Sequence, residues 1–320
     1  MKKELTVKVP ARLHMGVWDM NKFGLGKRGG GGIGLPVGLY TTITGKISSQ
    51  DVIEGESNLI ATRFLESIKD ILNIKDVYFE IQIERDYEMH VGLGSTGSVL
   101  VGIIQLVTEL LELDFSEEQL IEIVLDVMKE EHDDIITESF ETAVGPWACL
   151  KRDMVVVDTE CKLVDVYKVD KSIKVLLVTP SKEGLASSIE DETVLLEGRG
   201  KELDRSAYEL KRYLLSYLRN TDINDRKELS VLKIVDILKY VGSKRAEIEY
   251  QEKLHKGLYS ELTKVGENNN CLVSGMSSIG PTFYYLDKEE NVIKIRDELK
   301  SYNVNVKMVD VDYYDNNATV

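Results

Sequence analysis

His90-Val91-Gly92-Leu93-Gly94-Ser95-Thr96-Gly97 is the stretch on which the fold turns. It formally matches G-x-G-x-x-G and runs into an apolar helical pattern that continues to Leu113. A dinucleotide-binding βαβ unit needs a strand straight after that helix, with an acid at its end. Here Asp114-Phe115-Ser116 follows, and a second helix opens on Ser116 as N-cap. The dinucleotide reading fails on that context. What survives is physical. Glycines let a backbone approach a ligand closely, and Ser95 or Thr96 stands where the first amides of a helix lack partners. Such a place suits an anion, phosphate above all. The plain alternative is a tight strand-to-helix turn with Ser95 as an ordinary cap.

Working upstream, residues 5–13 alternate as a strand, with Pro10 marking an edge or a bulge. Residues 39–47 read as a strand, 59–74 as a helix and 77–84 as a strand. Downstream, the second helix is expected to run to about residue 131, with the acids of 109–141 as a solvated helical face. Short strands are expected at 147–149, 154–157 and 163–167, and a buried strand at 175–179. Residues 187–266 read mostly as helix (205–218, 231–241, 248–265). A strand at 282–286, a helix at 289–302 and a strand at 304–311 follow. The order is mixed α+β with no repeat, and the domain boundary falls near 165–175.

The chain has 320 residues, 40 Lys+Arg against 55 Asp+Glu, and a net charge of −15. Such a balance repels nucleic-acid backbones and anionic membranes, so neither is expected as a partner. Cys149, Cys161 and Cys271 form no C-x-x-C pair and read as inert free thiols. The first residues open no hydrophobic run, and a cytoplasmic protein is expected.

Two further glycine-rich segments flank the central one. Residues 24–34 hold seven of their eleven positions as glycine, with Lys27 and Arg28 inside. A run of four glycines has a large ordering cost, so it is either a mobile surface hairpin or ordered by something it holds. Arg28 and Lys27 are suited to phosphate. Gly275-Met276-Ser277-Ser278-Ile279-Gly280-Pro281-Thr282 places two hydroxyls between glycines and strands.

Taken together, the three segments resemble the GHMP kinase superfamily. Its first motif matches Pro10-Ala11-Arg12-Leu13-His14-Met15-Gly16-Val17-Trp18-Asp19, its phosphate loop residues 90–95, and its third motif residues 275–280. The branch it resembles most is that of the beta-ribofuranosylaminobenzene 5'-phosphate synthases (beta-RFAP synthases). The resemblance rests on Ala11 to His14, the His-Val-Gly-Leu-Gly-Ser loop, and Ser-Ser-x-Gly-Pro-Thr at residues 277–282. It implies an α+β GHMP-kinase-like two-domain fold: an N-terminal ribosomal-protein-S5-like α/β domain over residues 1–170 and a C-terminal ferredoxin-like α+β domain over 171–320. Kinases of this superfamily that use a catalytic aspartate place it after a small Ser-Gly pair. The comparable stretch, Thr142-Ala143-Val144-Gly145, has no carboxylate there, with Glu138 and Glu141 as candidate substitutes. The synthases lack that aspartate too, but lead into the stretch with arginine, where this chain has Glu138 to Glu141.

The resemblance implies a transferase joining a phosphoribosyl group from phosphoribosyl pyrophosphate to a 4-substituted benzoate, with loss of CO2 and pyrophosphate. Leaving pyrophosphate would be met by Gly92, Gly94, Ser95 and Thr96, and the sugar phosphate by Lys27 and Arg28. Asp19 would face the cationic sugar carbon and Arg12 would orient the ring carboxylate. His14 or His90 would manage a proton, and Ser277 and Ser278 would bond a phosphate. Mg2+ is expected on Ser95 with Asp133 or Asp134. Trp18 and Trp147 are read as core, not as ring-stacking groups. The alternative is an ATP-dependent small-molecule kinase on the same fold. A third reading is a non-catalytic phosphate-binding protein. A homodimer is left open.

Overall fold

A computed structural model describes residues 4–18, 28–132, 135–138, 141–181, 251–252 and 254–312, with backbone alone at 129–138. The helices expected at 205–218 and 231–241 lie outside the described residues. Strand β1 (Leu5–Gly16) pairs antiparallel with the long β2 (Gly32–Ser48). Their register slips between Pro10 and Ala11, because proline has no N–H to give the ladder. Along its second half β2 pairs with β4 (Tyr78–Arg85), which pairs in parallel with β3 (Val52–Gly55). Near its start β2 pairs with β7 (Met154–Val157), and β7 with β8 (Leu163–Tyr167). This is a six-stranded sheet.

Helices α1 (Asn58–Ile71), α2 (Ser95–Leu110) and α3 (Glu117–Val127) cover one face of it. Their Phe64, Leu65, Ile103 and Leu106 share a core with Ile43, Ile81 and Ile83 of the sheet. Ser116 caps α3 through a reciprocal box with Gln119. The other face meets a four-stranded antiparallel sheet ordered β10 (Val273–Met276), β11 (Phe283–Lys288), β9 (Ile173–Pro180), β12 (Val304–Asp310). Strand β9 is apolar on both sides for a reason. Val175 and Leu177 pack with Leu13, Met15 and Leu35 between the sheets, while Leu176 and Val178 pack under helices α5 (Leu258–Asn268) and α6 (Glu289–Glu298). The layers therefore run helix, sheet, sheet, helix.

Two expectations are corrected. Residues 147–149 are not a strand but part of helix α4 (Val144–Lys151), six of whose eight residues are buried. A short apolar run buried all round carries no period to tell helix from strand. The helix expected to reach residue 131 ends at Val127, and Lys129–His132 (β5) pairs with Ile135–Glu138 (β6) as a hairpin. No glycine or proline marks that stop; the β-branched Ile135, Ile136 and Thr137 favour pairing instead.

After β12 the chain returns to the first sheet, where Val311 bridges Val37 and the Asp312 amide donates to the Pro36 carbonyl at 3.1 Å. The Asp312 carboxylate accepts from Arg152 Nε (2.6 Å) and Nη2 (2.9 Å) and from the Tyr40 hydroxyl (2.7 Å). Burial, with Asp312 beside it, pushes the Tyr40 phenol up to about 12. No helix among the described residues is long and apolar enough to cross a membrane.

Candidate functional site

The first motif around His14, the loop at 90–97 and the third segment at 275–282, far apart in sequence, meet at the head of α2. The His14 amide donates to Ser277 Oγ (3.0 Å), and Ser277 Oγ donates to the Gly92 carbonyl (2.7 Å). The Ser278 amide donates to the His14 carbonyl (2.9 Å), and the Thr282 amide to the Val91 carbonyl (3.3 Å). The approach is close enough to demand glycine. A Cβ on Gly92 would lie 2.5 Å from the Ser277 carbonyl oxygen, and its φ of 83° is left-handed.

Gly94, also left-handed, is the N-cap of α2, and no side chain caps the helix. Its first turn holds no acid. An uncapped first turn concentrates amide dipoles with no fixed counter-charge, the setting in which a helix takes a phosphate. Gly92, Gly94 and Gly97 keep partial exposure while Ser95 and Thr96 are buried. Ser95 Oγ accepts from the His90 amide at 3.4 Å. Beneath the turn, the hydroxyls of Thr41, Tyr87 and Ser98 lie 2.8–3.1 Å from one another, and Ser98 Oγ donates to the Ser95 carbonyl. No sequence signal pointed to Thr41, an ordinary strand residue, or to Tyr87, in the bend after β4.

Arg12 lies behind the loop. Its Nη1 donates to the Gly92 carbonyl (3.0 Å) and its amide to the Leu93 carbonyl (3.1 Å). A Cβ on Gly94 would meet its Cζ at 2.9 Å, and one on Gly145 its Nε at 3.1 Å. Nearby, Glu141 Oε1 accepts from the Ala143 amide (2.6 Å) at the start of α4. Burial raises the Glu141 carboxyl above its usual range, with the Arg12 charge and the local amides pulling it back.

Several expected ligands have other occupations. Ser277, assigned to a phosphate, is fully buried and gives both its donor and an acceptor position to the segments it joins. Ser278, half-buried with φ 54°, stands beside it. Arg28, assigned to a sugar phosphate, is half exposed and ion-paired with Asp126 in the last turn of α3. The glycine run is not a mobile hairpin: residues 29–34 are buried, with Gly29 donating to the Glu141 carbonyl and Gly30 to the Thr159 carbonyl. Intramolecular backbone contacts order it. His14 is buried, with Nε2 where a Gly32 Cβ would meet it at 2.9 Å; His90 is half-buried at φ 55°. Trp18 and Trp147 are core residues whose indoles donate to the Val157 and Cys161 carbonyls. The three cysteines are buried. Asp19, Lys27, Asp133 and Asp134 lie outside the described residues. Gln251, unmarked in the sequence, donates to the Ile279 carbonyl (2.8 Å) and braces the third segment.

Comparison with known proteins bears on the fold. Residues 59–140 match the family model of the GHMP kinases N terminal domain. No curated protein matches the sequence. The solved structure of homoserine kinase from Cytophaga hutchinsonii is similar with a TM-score of 0.70 at 15% identity, over 98% of this chain and 96% of that one. Mevalonate kinase from Methanococcus jannaschii gives 0.64 at 14%, over 97% and 99%. Mevalonate pyrophosphate decarboxylase from Streptococcus pyogenes gives 0.66 at 13%, over 98% of each. The chain thus has the mixed α+β fold of the GHMP kinases, and its residues 59–140 match that family's N-terminal domain.

Proposed function

We propose that this chain is a cytoplasmic ATP-dependent transferase that moves a phosphoryl group to a hydroxyl of a small molecule. The observation that carries the reading is the uncapped first turn of α2, presented by Gly92 and Gly94 at a crossing of three segments. The fold likeness to homoserine and mevalonate kinases supports it. Phosphoryl transfer asks a protein mainly for positioning and charge stabilisation, which such a turn supplies. Mg2+ keeps most of its waters and takes few protein oxygens. The Ser95 hydroxyl at the head of α2 suits it, with Asp134 as the proposed second ligand. Among the described residues no three His, Cys, Asp or Glu gather into a metal site. When bound, the ion would neutralise charge on the phosphate oxygens.

A second reading, the beta-RFAP-synthase-like transfer from phosphoribosyl pyrophosphate, is favoured by one feature. Gly145, beside the Arg12 guanidinium, leaves no carboxylate where an aspartate-dependent kinase keeps its base. The two readings separate in one assay. Purified protein with Mg·ATP and a panel of alcohols including homoserine and mevalonate is expected to release ADP in an alcohol-dependent way. Pyrophosphate release from phosphoribosyl pyrophosphate that requires 4-aminobenzoate or 4-hydroxybenzoate, without ADP release in the first arm, would replace the kinase reading by the second.

A further inference from the structure

We propose that Arg12 is a positioning residue: its half-buried guanidinium fixes the shape of the loop at 90–97 from behind, in space that Gly94 and Gly145 leave open for it, with Glu141 as the nearby acid that opposes its charge. The inference rests on the phosphate-binding reading of α2. Three observations carry it. Arg12 reaches the loop twice, through its side chain to the Gly92 carbonyl and through its amide to the Leu93 carbonyl. Its guanidinium fills the volume that side chains at 94 and 145 would otherwise take, so it joins the loop to the first turn of α4. Glu141, half-buried just ahead of α4 and held by the Ala143 amide, is the acid whose charge Arg12 opposes there. A guanidinium is planar and always charged, so it holds a carbonyl at a fixed angle, where an ammonium acts as a point charge. Removing either of two opposed, half-buried charges weakens the hold on the other. Arg12 therefore acts on a bound phosphate through the loop amides it orients.

The test uses the full chain and three variants: Arg12→Lys, Glu141→Gln and Gly145→Ala. The last keeps both charges and places a Cβ against Arg12 Nε, so it displaces the guanidinium without removing either charge. Alanine also suits a helix better than glycine, so the midpoint of thermal unfolding is expected to hold or rise. Amide hydrogen exchange of the peptide 90–97, measured on the unliganded protein, is expected to speed up about tenfold in each variant, because local opening of the loop becomes easier. Mg·ATP affinity by calorimetry is expected to fall about tenfold in parallel, equivalent to about 1.4 kcal/mol. A thermal midpoint that holds in Gly145→Ala while affinity falls separates positioning from general stability. Exchange at 90–97 and affinity both within about twofold of the parent in all three variants would overturn the proposal. If the parent chain itself binds no Mg·ATP, the phosphate reading fails, and the exchange arm still decides whether Arg12 holds the loop.

Discussion

Asp153 is half-buried, and burial first, with Asp312 adding, raises its carboxyl to about 6 although Lys168 pulls the other way. A carboxyl raised on folding is a proton the native state holds more tightly than the unfolded chain. Stability from this group is therefore largest below about pH 4 and is lost as pH rises through about 6. Discounted for solvent, Asp153→Asn is expected to gain about 1 kcal/mol at pH 7 and to flatten the slope between pH 4 and 6, read from urea unfolding at several pH values. Other residues show what sequence conveys and what it does not. The turn at Gly92 and Gly94 was legible because glycines between a strand pattern and a helical run mark a tight, left-handed turn. Ser277, read as a phosphate ligand, bonds Gly92, 185 positions away, and nothing in Gly-Met-Ser-Ser distinguishes a hydroxyl facing a ligand from one facing a carbonyl. Glu141 was only a candidate substitute base, since its relation to Arg12 depends on the tertiary placement of α4.

The same contrast holds among the elements. Helix α2 was plain from its long apolar pattern and from the glycines ahead of it. Strand β9 was plain from a run of apolar residues too short for a helix. Helix α4 was hidden, because burial on all sides removes the polar stripe that reveals a period. Its place is set by Gly34 of β2, where a Cβ would stand 3.0 Å from the Val144 carbonyl and 3.1 Å from Ala148 Cβ. Backbone and a methyl group cannot swing aside as a long side chain can. Gly34→Ala is expected to cost about 1–3 kcal/mol by overpacking, measured as a lower urea midpoint with an unchanged slope. Full stability in that variant would mean α4 is free to shift away from β2. The hairpin β5–β6 was the other miss, where charged residues made a solvated helix the simpler reading.

For the whole molecule, the two sheets are held by a shared apolar layer and by the cluster of Arg152, Tyr40 and Asp312. Asp312 is 3% exposed, so Asp312→Ala removes the counter-charge of a partly buried arginine and the side-chain tie to Tyr40 of β2. A loss of about 2–4 kcal/mol is expected in chemical unfolding, against about 0.5 for a surface ion pair such as Arg63–Glu66. The mixed α+β class was legible from element order; the face-to-face contact of the sheets was not, because no local pattern records which face meets which. The hydrogen bond from His14 to Ser277 spans 263 positions of the chain. It dictates a sequence of events in time. Helix α2 can form early from its own neighbours, yet the loop at its head acquires its final shape only once the strands around residue 277 have been made and docked. The apparatus encoded in the first third of the polypeptide thus stays incomplete through most of synthesis, and closing that long loop is expected to be among the slow steps of folding.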